Sequence, residues 1–414
     1  MDLLKNLFKG DKVIWIIFLF LCVISVIEVF SAASTLTYKT GDHWGPITQH
    51  TVIMLVGVLV VWITHKVNYR YFQVIPVFLL PLSAILLLLV VVIGNMTNGA
   101  ARWMSIFGLQ FQPSELAKMA VIISVSFILA KNQEENGANP KAFKYIMWIT
   151  GVICALIAPE NLSTAGLLFG VVFLMMVIGR IPFRKLALLV GSLLAIAALA
   201  VSVTMLVPDK ADNGVLHRMS TWKSRIIGFA SPKKDIPAAK FDIDKDAQVA
   251  HANIAIATSN VIGKMPGNSI ERDFLSQAFS DFIFAIIIEE LGLVGGGFVV
   301  ILYIWLLIRA GRIAQKTKGN FATFLVMGIT LMLVSQAIIN MCVAVGLFPV
   351  TGQPLPLISK GGTSTLINCV YVGMILSVSR YTAKLEENES LNSQAKVEDT
   401  SINKDEIIAE ESLA

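Results

Sequence analysis

The sequence predicts an all-α polytopic membrane protein with about ten transmembrane helices, and three observations carry that prediction. Of its 414 residues 55% are hydrophobic and only 15% are charged, with a mean hydropathy of +0.72. Apolar runs of about 17 to 25 residues recur along most of the chain, each long enough to cross a ~30 Å hydrocarbon core as helix. Basic residues gather in alternate connections, the pattern left when Lys and Arg are retained on the cytoplasmic side of a membrane.

The runs lie near 13–33, 51–67, 73–94, 114–131, 144–158, 164–180, 186–207, 282–309, 320–346 and 362–381. With both termini cytoplasmic, the inner side holds Lys5, Lys9, Lys12, Lys66, Arg70, Lys131, Lys141, Lys144, Arg180, Arg184, Lys185, Arg309, Arg312, Lys316, Lys318, Arg380 and Lys384. The short outer connections hold only Lys39, Arg102 and Lys360. An odd number of spans would scramble this asymmetry. The net charge of +5 therefore reflects topology. No basic cluster is interleaved with aromatics, so no nucleic acid partner is expected.

The first span contains Glu28 and is longer than a signal-peptide core, so it reads as an uncleaved anchor. Cys22, Cys154, Cys342 and Cys369 sit inside apolar segments without paired spacing, which points to packing and not to a disulfide or metal framework. The expected organisation is a cytoplasmic N-terminus over 1–12, a membrane domain over 13–382, and a tail over 383–414. Within the membrane domain, roughly 208–280 is too polar and too long for a simple connection, and reads as an outer loop with short interfacial helices. The tail from about Leu385 is rich in Glu, Asn, Ser and Lys, lacks aromatics, and is expected to be disordered. No internal repeat relates the two halves, which disfavours a transporter built on inverted repeats.

Polar chemistry collects on the expected outer side. Gln112-Pro113-Ser114-Glu115 opens the fourth span, with Ser114 suited to an N-cap and Glu115 in the first turn, where the helix dipole favours an anion. Glu115 and Lys118, three apart, share a helix face. Two readings stand: an internal ion pair, or Lys118 acting with Arg102 to offer positive charge to an anionic group such as a pyrophosphate.

Asp281 stands where the long loop meets the eighth span, and is either a helix N-cap or a functional carboxylate. Glu289 and Glu290 follow some eight residues later, about 12 Å deeper along a continuous helix. Ionisable groups at that depth need partners, and Gly292, Gly295, Gly296 and Gly297 suggest close packing or a helix break that supplies them. A structural role is expected for both glutamates. The last outer loop, Gly346 to Ser364, carries Pro349, Pro354 and Pro356, which rule out regular helix. It is either a re-entrant turn capping the bundle or a cradle whose backbone N–H groups at Lys360, Gly361 and Gly362 hold a phosphate or sugar hydroxyl.

Together these motifs resemble the SEDS family (shape, elongation, division and sporulation). Phe30-Ser31-Ala32-Ala33-Ser34, Arg102-Trp103, Gln112-Pro113-Ser114-Glu115, Asp281-Phe282-Ile283-Phe284-Ala285, Glu289-Glu290-Leu291-Gly292 and Leu357-Ile358-Ser359-Lys360-Gly361-Gly362 follow one another in the family's order. The resemblance covers about residues 12 to 382, and is closer to the division members than to the elongation members. It implies polymerisation of lipid II into glycan strands on the outer face of the cytoplasmic (inner) membrane, at the division septum. It also implies a divalent cation (Mg²⁺ or Mn²⁺), and a class B penicillin-binding protein and other division proteins as partners. Carried over residue by residue, Asp281 matches the essential aspartate. Arg102, Glu115 and Lys118 match the polar positions lining the family's central cavity, and Gln248 falls where its long outer loop turns back toward the catalytic helix; Trp103, Ser359, Lys360, Gly361 and Gly362 are also expected to contact substrate.

Asp281 is then the expected general base on an acceptor hydroxyl, with charge on the pyrophosphate leaving group stabilised by basic residues. The chain departs from the family pattern in Glu160-Asn161-Leu162-Ser163-Thr164, where an amide at Asn161 replaces an aspartate, and at Lys360, which replaces a tyrosine. A lipid II flippase and a non-catalytic scaffold are the competing readings. The flippase requires polar groups along the whole membrane depth, whereas the sixth and seventh spans carry almost no charge between Gly166 and Leu206.

Overall fold

The structure, a computed structural model, describes residues 9–32, 45–93, 95–97, 100–106, 109–135, 137–206, 246–275 and 278–411. Every expected span is helical, because an apolar segment satisfies its backbone polar groups within lipid only by closing them on itself. The helices are α1 (Lys12–Ala32), α2 (Gly45–Thr64), α3 (Ile75–Ile93), α4 (Pro113–Lys131), α5 (Pro140–Ile157), α6 (Leu162–Ile178), α7 (Phe183–Leu206), α8 (Asp246–Ala257), α9 (Ile283–Lys316), α10 (Asn320–Ala344) and α11 (Gly362–Glu411). Eight of these are long and apolar enough to cross a membrane, and α6 is a shorter apolar helix of the same kind.

Burial sorts the bundle into layers. α4 and α11 bury 78% of their apolar windows and α2 and α3 only 22%, so the first two form the centre and the second two the rim. Leu55, Leu59, Ile63, Val77, Phe78 and Leu82 are exposed on that rim, as expected of a lipid-facing surface. At one end of the bundle the basic residues tie the helices together. Arg309 pairs with Asp11 at 2.7 Å, Arg70 donates to the Tyr381 hydroxyl at 3.0 Å, and Lys185 donates to the Pro140 carbonyl at 2.9 Å.

The opposite end carries the irregular structure. Strands β1 (Asn95–Thr97), β2 (Ala100–Ile106) and β3 (Leu109–Phe111) form an antiparallel sheet in the order β1-β2-β3 between α3 and α4. A second pair, β4 (Gln133–Glu134) and β5 (Gly137–Ala138), joins α4 to α5. Neither sheet is expected from the apolar pattern, because these strands are two to seven residues long. Of the long loop, α8 supplies one of the expected short helices, and 207–245 lie outside the described residues. α11 extends past the last expected span, from Gly362 to Glu411.

Two helix starts also differ from the sequence reading. α4 is preceded by Gln112 at the N-cap, with Pro113 in the first turn and no side-chain cap, so Ser114 is inside the helix. α9 has Phe282 at its N-cap, again without a side-chain cap, so Asp281 stands one residue outside the position that capping requires.

Candidate active site

The largest departure from the sequence reading is inside α9. Gly292 has φ 71° and ψ −175°, a conformation that is essentially restricted to glycine, and it divides the helix into limbs 283–291 and 293–316. A Cβ on Gly296 would lie 2.7 Å from Ile288 and 3.8 Å from the Phe284 ring. In an unbroken helix Phe284 would stand about 18 Å above Gly296. The first limb therefore folds back against the second.

Heights along neighbouring helices agree. Ser31, nineteen residues along α1 from Lys12, donates to Glu290. Asn340, twenty along α10 from Asn320, donates to the Asp281 carbonyl at 2.9 Å. Both lie about 28–30 Å from the basic end at 1.5 Å per residue. Glu289 and Glu290 are thus level with Asp281, not about 12 Å deeper.

The break is closed by the loop that precedes Asp281. Lys264 and Met265 donate their N–H groups to the carbonyls of Glu289 and Glu290 at 2.9 and 2.8 Å, and Leu293 and Val294 donate to Asn260 and Val261, each at 3.3 Å. Gly263, at φ +82°, and Gly292 touch so closely that a Cβ on either would fall within 2.5 Å of the other segment's backbone. Lys264 pairs with Glu289 at 2.7 Å. Glu289 also accepts from the Ser269 hydroxyl at 2.5 Å and the Ile270 N–H at 3.1 Å. Both glutamates are fully buried, and both accept hydrogen bonds from the loop over 264–270.

Asp281 is anchored through its backbone and keeps its carboxylate half-buried. Asn340 bridges the carbonyls of Asp281 and Gln353, and the Ser280 hydroxyl donates to the Asp281 carboxylate at 3.0 Å. The re-entrant loop between α10 and α11 closes over the same turn. Ser359 donates to the Ser280 carbonyl at 2.6 Å and accepts from the Leu355 N–H at 2.7 Å. The Lys360 N–H donates to the Phe279 carbonyl at 2.9 Å. Tyr303 donates to the Pro356 carbonyl from below. Two proposed donors to substrate are therefore used by the fold itself: the buried Ser359 hydroxyl and the Lys360 N–H. Gly361 accepts the Thr365 N–H at 2.9 Å, and Gly362 opens α11.

The Lys360 side chain differs from its backbone. It is half-buried, its ammonium lies 5.6 Å from the centroid of the Phe279 ring, and burial pulls its pKa below the usual lysine value. Lys118, in contrast, is fully buried. It pairs with Glu115 at 2.7 Å and donates to Gln336 at 2.9 Å, while Gln336 donates to the Pro354 carbonyl at 3.0 Å. The internal-pair reading is the one the geometry realises. Through Gln336 this pair steadies the re-entrant loop from within the bundle, and neither sequence spacing nor charge disclosed Gln336 as the partner of Lys118 or Asn340 as the partner of Gln353 and Asp281.

The remaining expected site residues are scattered. Trp103 is half-buried on β2, opposite Asn95. Arg102 is on the same strand, and its side chain lies outside the described residues. Gln248 is half-buried on α8. Asn161 caps α6 by accepting the Thr164 N–H at 3.1 Å, a role that an amide performs as well as a carboxylate. It also lines a narrow cleft with Gln112, Ser114, Glu160 and apolar residues of α3 and α5. Positions 33–44 of the first outer loop, Ala33 and Ser34 of the family motif among them, lie outside the described residues. Among the described residues no group of three or more His, Cys, Asp or Glu side chains converges on a metal position.

These features define a multi-pass helical membrane protein with a broken helix and a re-entrant loop meeting at one end. The sequence model for cell cycle proteins of the FtsW, RodA and SpoVE kind matches residues 11–384, and the chain belongs to that family. It is 31% identical over 379 residues to the probable peptidoglycan glycosyltransferase FtsW of Halomonas elongata, covering 89% of this chain and 90% of the relative. It is 29% identical over 382 residues to the protein of the same description from Geobacter metallireducens, covering 91% and 96%. Among solved structures, a chain from a peptidoglycan synthase complex that coordinates polymerization and crosslinking superposes with a TM-score of 0.70 at 24% identity, covering 90% and 98%. The rod shape determining protein RodA of Thermus thermophilus gives 0.62 at 22% identity, covering 91% and 98%. At these identities the structures establish a shared fold.

Proposed function

We propose that this protein is a peptidoglycan glycosyltransferase that polymerises lipid II into β-1,4 glycan strands on the outer face of the cytoplasmic membrane during cell division, with a class B penicillin-binding protein as its partner. One observation carries the reading. Around the turn where α9 meets the re-entrant loop, Glu115, Lys118, Glu289 and Glu290 are all buried, while Asp281 and Lys360 keep half-buried charged side chains. A reactive group must reach its substrate, and the partial exposure of these two supports that role. The family and the names of its relatives point to the same chemistry.

In this reading Asp281 takes the proton from the acceptor sugar's 4-hydroxyl as that oxygen attacks the anomeric carbon of the donor. The bond to undecaprenyl pyrophosphate breaks, and the leaving group carries away the bonding electrons. One direct displacement inverts the α-linked donor to a β-linked product. Pyrophosphate is a good leaving group, so one carboxylate suffices, where hydrolytic glycosidases need a second to protonate a poor one. Lys360 stabilises the developing pyrophosphate charge, with Arg102 as the second expected cation. No step is assigned to a metal.

The test is polymer formation from labelled lipid II by the protein purified with its penicillin-binding partner, with Mg²⁺ or Mn²⁺ supplied, comparing wild type with Asp281→Asn. Polymer from wild type and none from a folded, partner-bound variant is the expected result. Equal polymer from both removes Asp281 from catalysis. No polymer from the wild-type complex moves the flippase or the scaffold to the front.

A further inference from the structure

Beside the Gly263–Gly292 contact lies a second polar group that the reaction does not use. Glu28 of α1 is fully buried, and neither of its carboxylate oxygens has a hydrogen-bond partner among the described residues. It lies three residues before Ser31 and so on the same face of α1, and Ser31 donates to Oε1 of Glu290, whose Oε2 is likewise buried and without a hydrogen-bond partner among the described residues. Arg272 reaches the same place. Its Nη1 donates to the Ser31 hydroxyl at 2.7 Å and lies 3.7 Å from Glu290 Oε1, while its Nε is buried without a hydrogen-bond partner among the described residues.

Charge decides what this chamber holds. Glu289 is neutralised separately by Lys264, and Asp273, 3.8 Å from Arg272 Nε, is exposed enough for water to carry its charge, which leaves two buried carboxylates, Glu28 and Glu290, and one guanidinium. Waters would supply hydrogen bonds to the three open oxygens but no charge, and a buried uncompensated charge is strongly unfavourable. A divalent ion would overshoot, and it ordinarily takes more ligands than two carboxylates and a hydroxyl supply. We propose that Glu28, Glu290 and Ser31 form a binding site for one small, hard monovalent cation, sodium by its preference for oxygen ligands. The ion would fasten the end of α1 to the broken limb of α9 and to the loop carrying Arg272, nine residues before Asp281. This site is independent of the glycosyltransferase reading.

The experiment is thermal unfolding of the purified full chain in sodium chloride and in choline chloride, at fixed pH and ionic strength. Sodium at saturation raises the wild-type Tm by roughly 2–4 °C, and Glu28→Gln, which removes one unit of negative charge, abolishes the rise. A rise retained in Glu28→Gln overturns the site. If that variant fails to fold, calorimetric titration of sodium into choline-equilibrated wild type decides, and the absence of saturable binding overturns the proposal. A wild type indifferent to sodium, with a protonated-carboxyl infrared band that Glu28→Gln removes, also overturns it and assigns the missing charge to a proton.

Discussion

Replacing Gly292 by alanine tests the geometry on which the site depends. The added Cβ would lie 2.2 Å from the Val261 carbonyl oxygen and 2.5 Å from the Gly263 nitrogen. Both are backbone atoms, so no side chain can rotate away. The residue would also occupy a glycine-restricted conformation, at a cost of about 1–3 kcal/mol. Relief requires the loop to separate from α9, which weakens the four backbone hydrogen bonds that close the break, each contributing about 0.5–1.5 kcal/mol. Allowing for partial relaxation, the net loss is about 2–4 kcal/mol, or roughly 2–5 °C in Tm for a chain of this length. Gly297→Ala is the matched control, since a Cβ there meets nothing within 4 Å and alanine is favoured over glycine in a helix by about 1 kcal/mol. Differential scanning of both variants in detergent measures the contrast. A Gly292→Ala protein that melts within about 1 °C of wild type would refute the broken-helix geometry, and with it the placement of Glu289 and Glu290 level with Asp281.

Three further expectations follow from the same contacts. Lys118→Met leaves Glu115 buried and unpaired, at a cost of about 3–5 kcal/mol. Adding Glu115→Gln restores much of that loss, which a double-mutant cycle of unfolding midpoints reads directly. Asn161→Asp keeps the α6 cap and leaves stability unchanged, whereas Asn161→Ala removes it and costs about 0.5–2 kcal/mol, again read from unfolding. Burial lowers the Lys360 pKa, so its positive charge is lost at lower pH than for a free lysine as the pH rises. Polymerisation should therefore fall on its alkaline side below the usual lysine range. In Lys360→Arg, whose charge persists, that limb moves to higher pH, and an unmoved limb would remove Lys360 from charge stabilisation.

The helices were legible because lipid imposes one solution on an apolar run, and the basic residues mark one end of the bundle. The short strands were not legible, since a two-residue pair such as Gln133–Glu134 against Gly137–Ala138 has no period to read. Glu289 and Glu290 were recognisable as needing partners, and Gly292 as a break, but the direction of the break was not. Spacing measures distance along an assumed helix, and one residue at positive φ reversed the limb. Ser359 and Lys360 illustrate the same limit at the level of single groups. Their order in the chain matched a motif, yet only the fold shows that the Ser359 hydroxyl and Lys360 N–H hold Ser280 and Phe279, leaving the Lys360 ammonium as the available group.

This division of labour explains why so many charged residues surround so small a candidate site. The turn bearing Asp281 has no side-chain cap and belongs to neither limb of a regular helix, so its position must be imposed from outside. Asn340 and Ser359 hold its carbonyls, Gln336 ties the re-entrant loop to the Glu115–Lys118 pair, and Glu289 and Glu290 hold the loop that leads into it. Each of these buried groups is costly unless paired, so each resists displacement once paired. A rigid frame of this kind fixes the Asp281 carboxylate through the backbone that carries it, as the role proposed for it requires. On this argument, removing a frame residue such as Asn340 should slow turnover by displacing Asp281 while leaving its chemistry intact. The slowed Asn340→Ala complex would then keep the wild-type pH profile, whereas a shifted acidic limb would mean that Asn340 tunes the base itself.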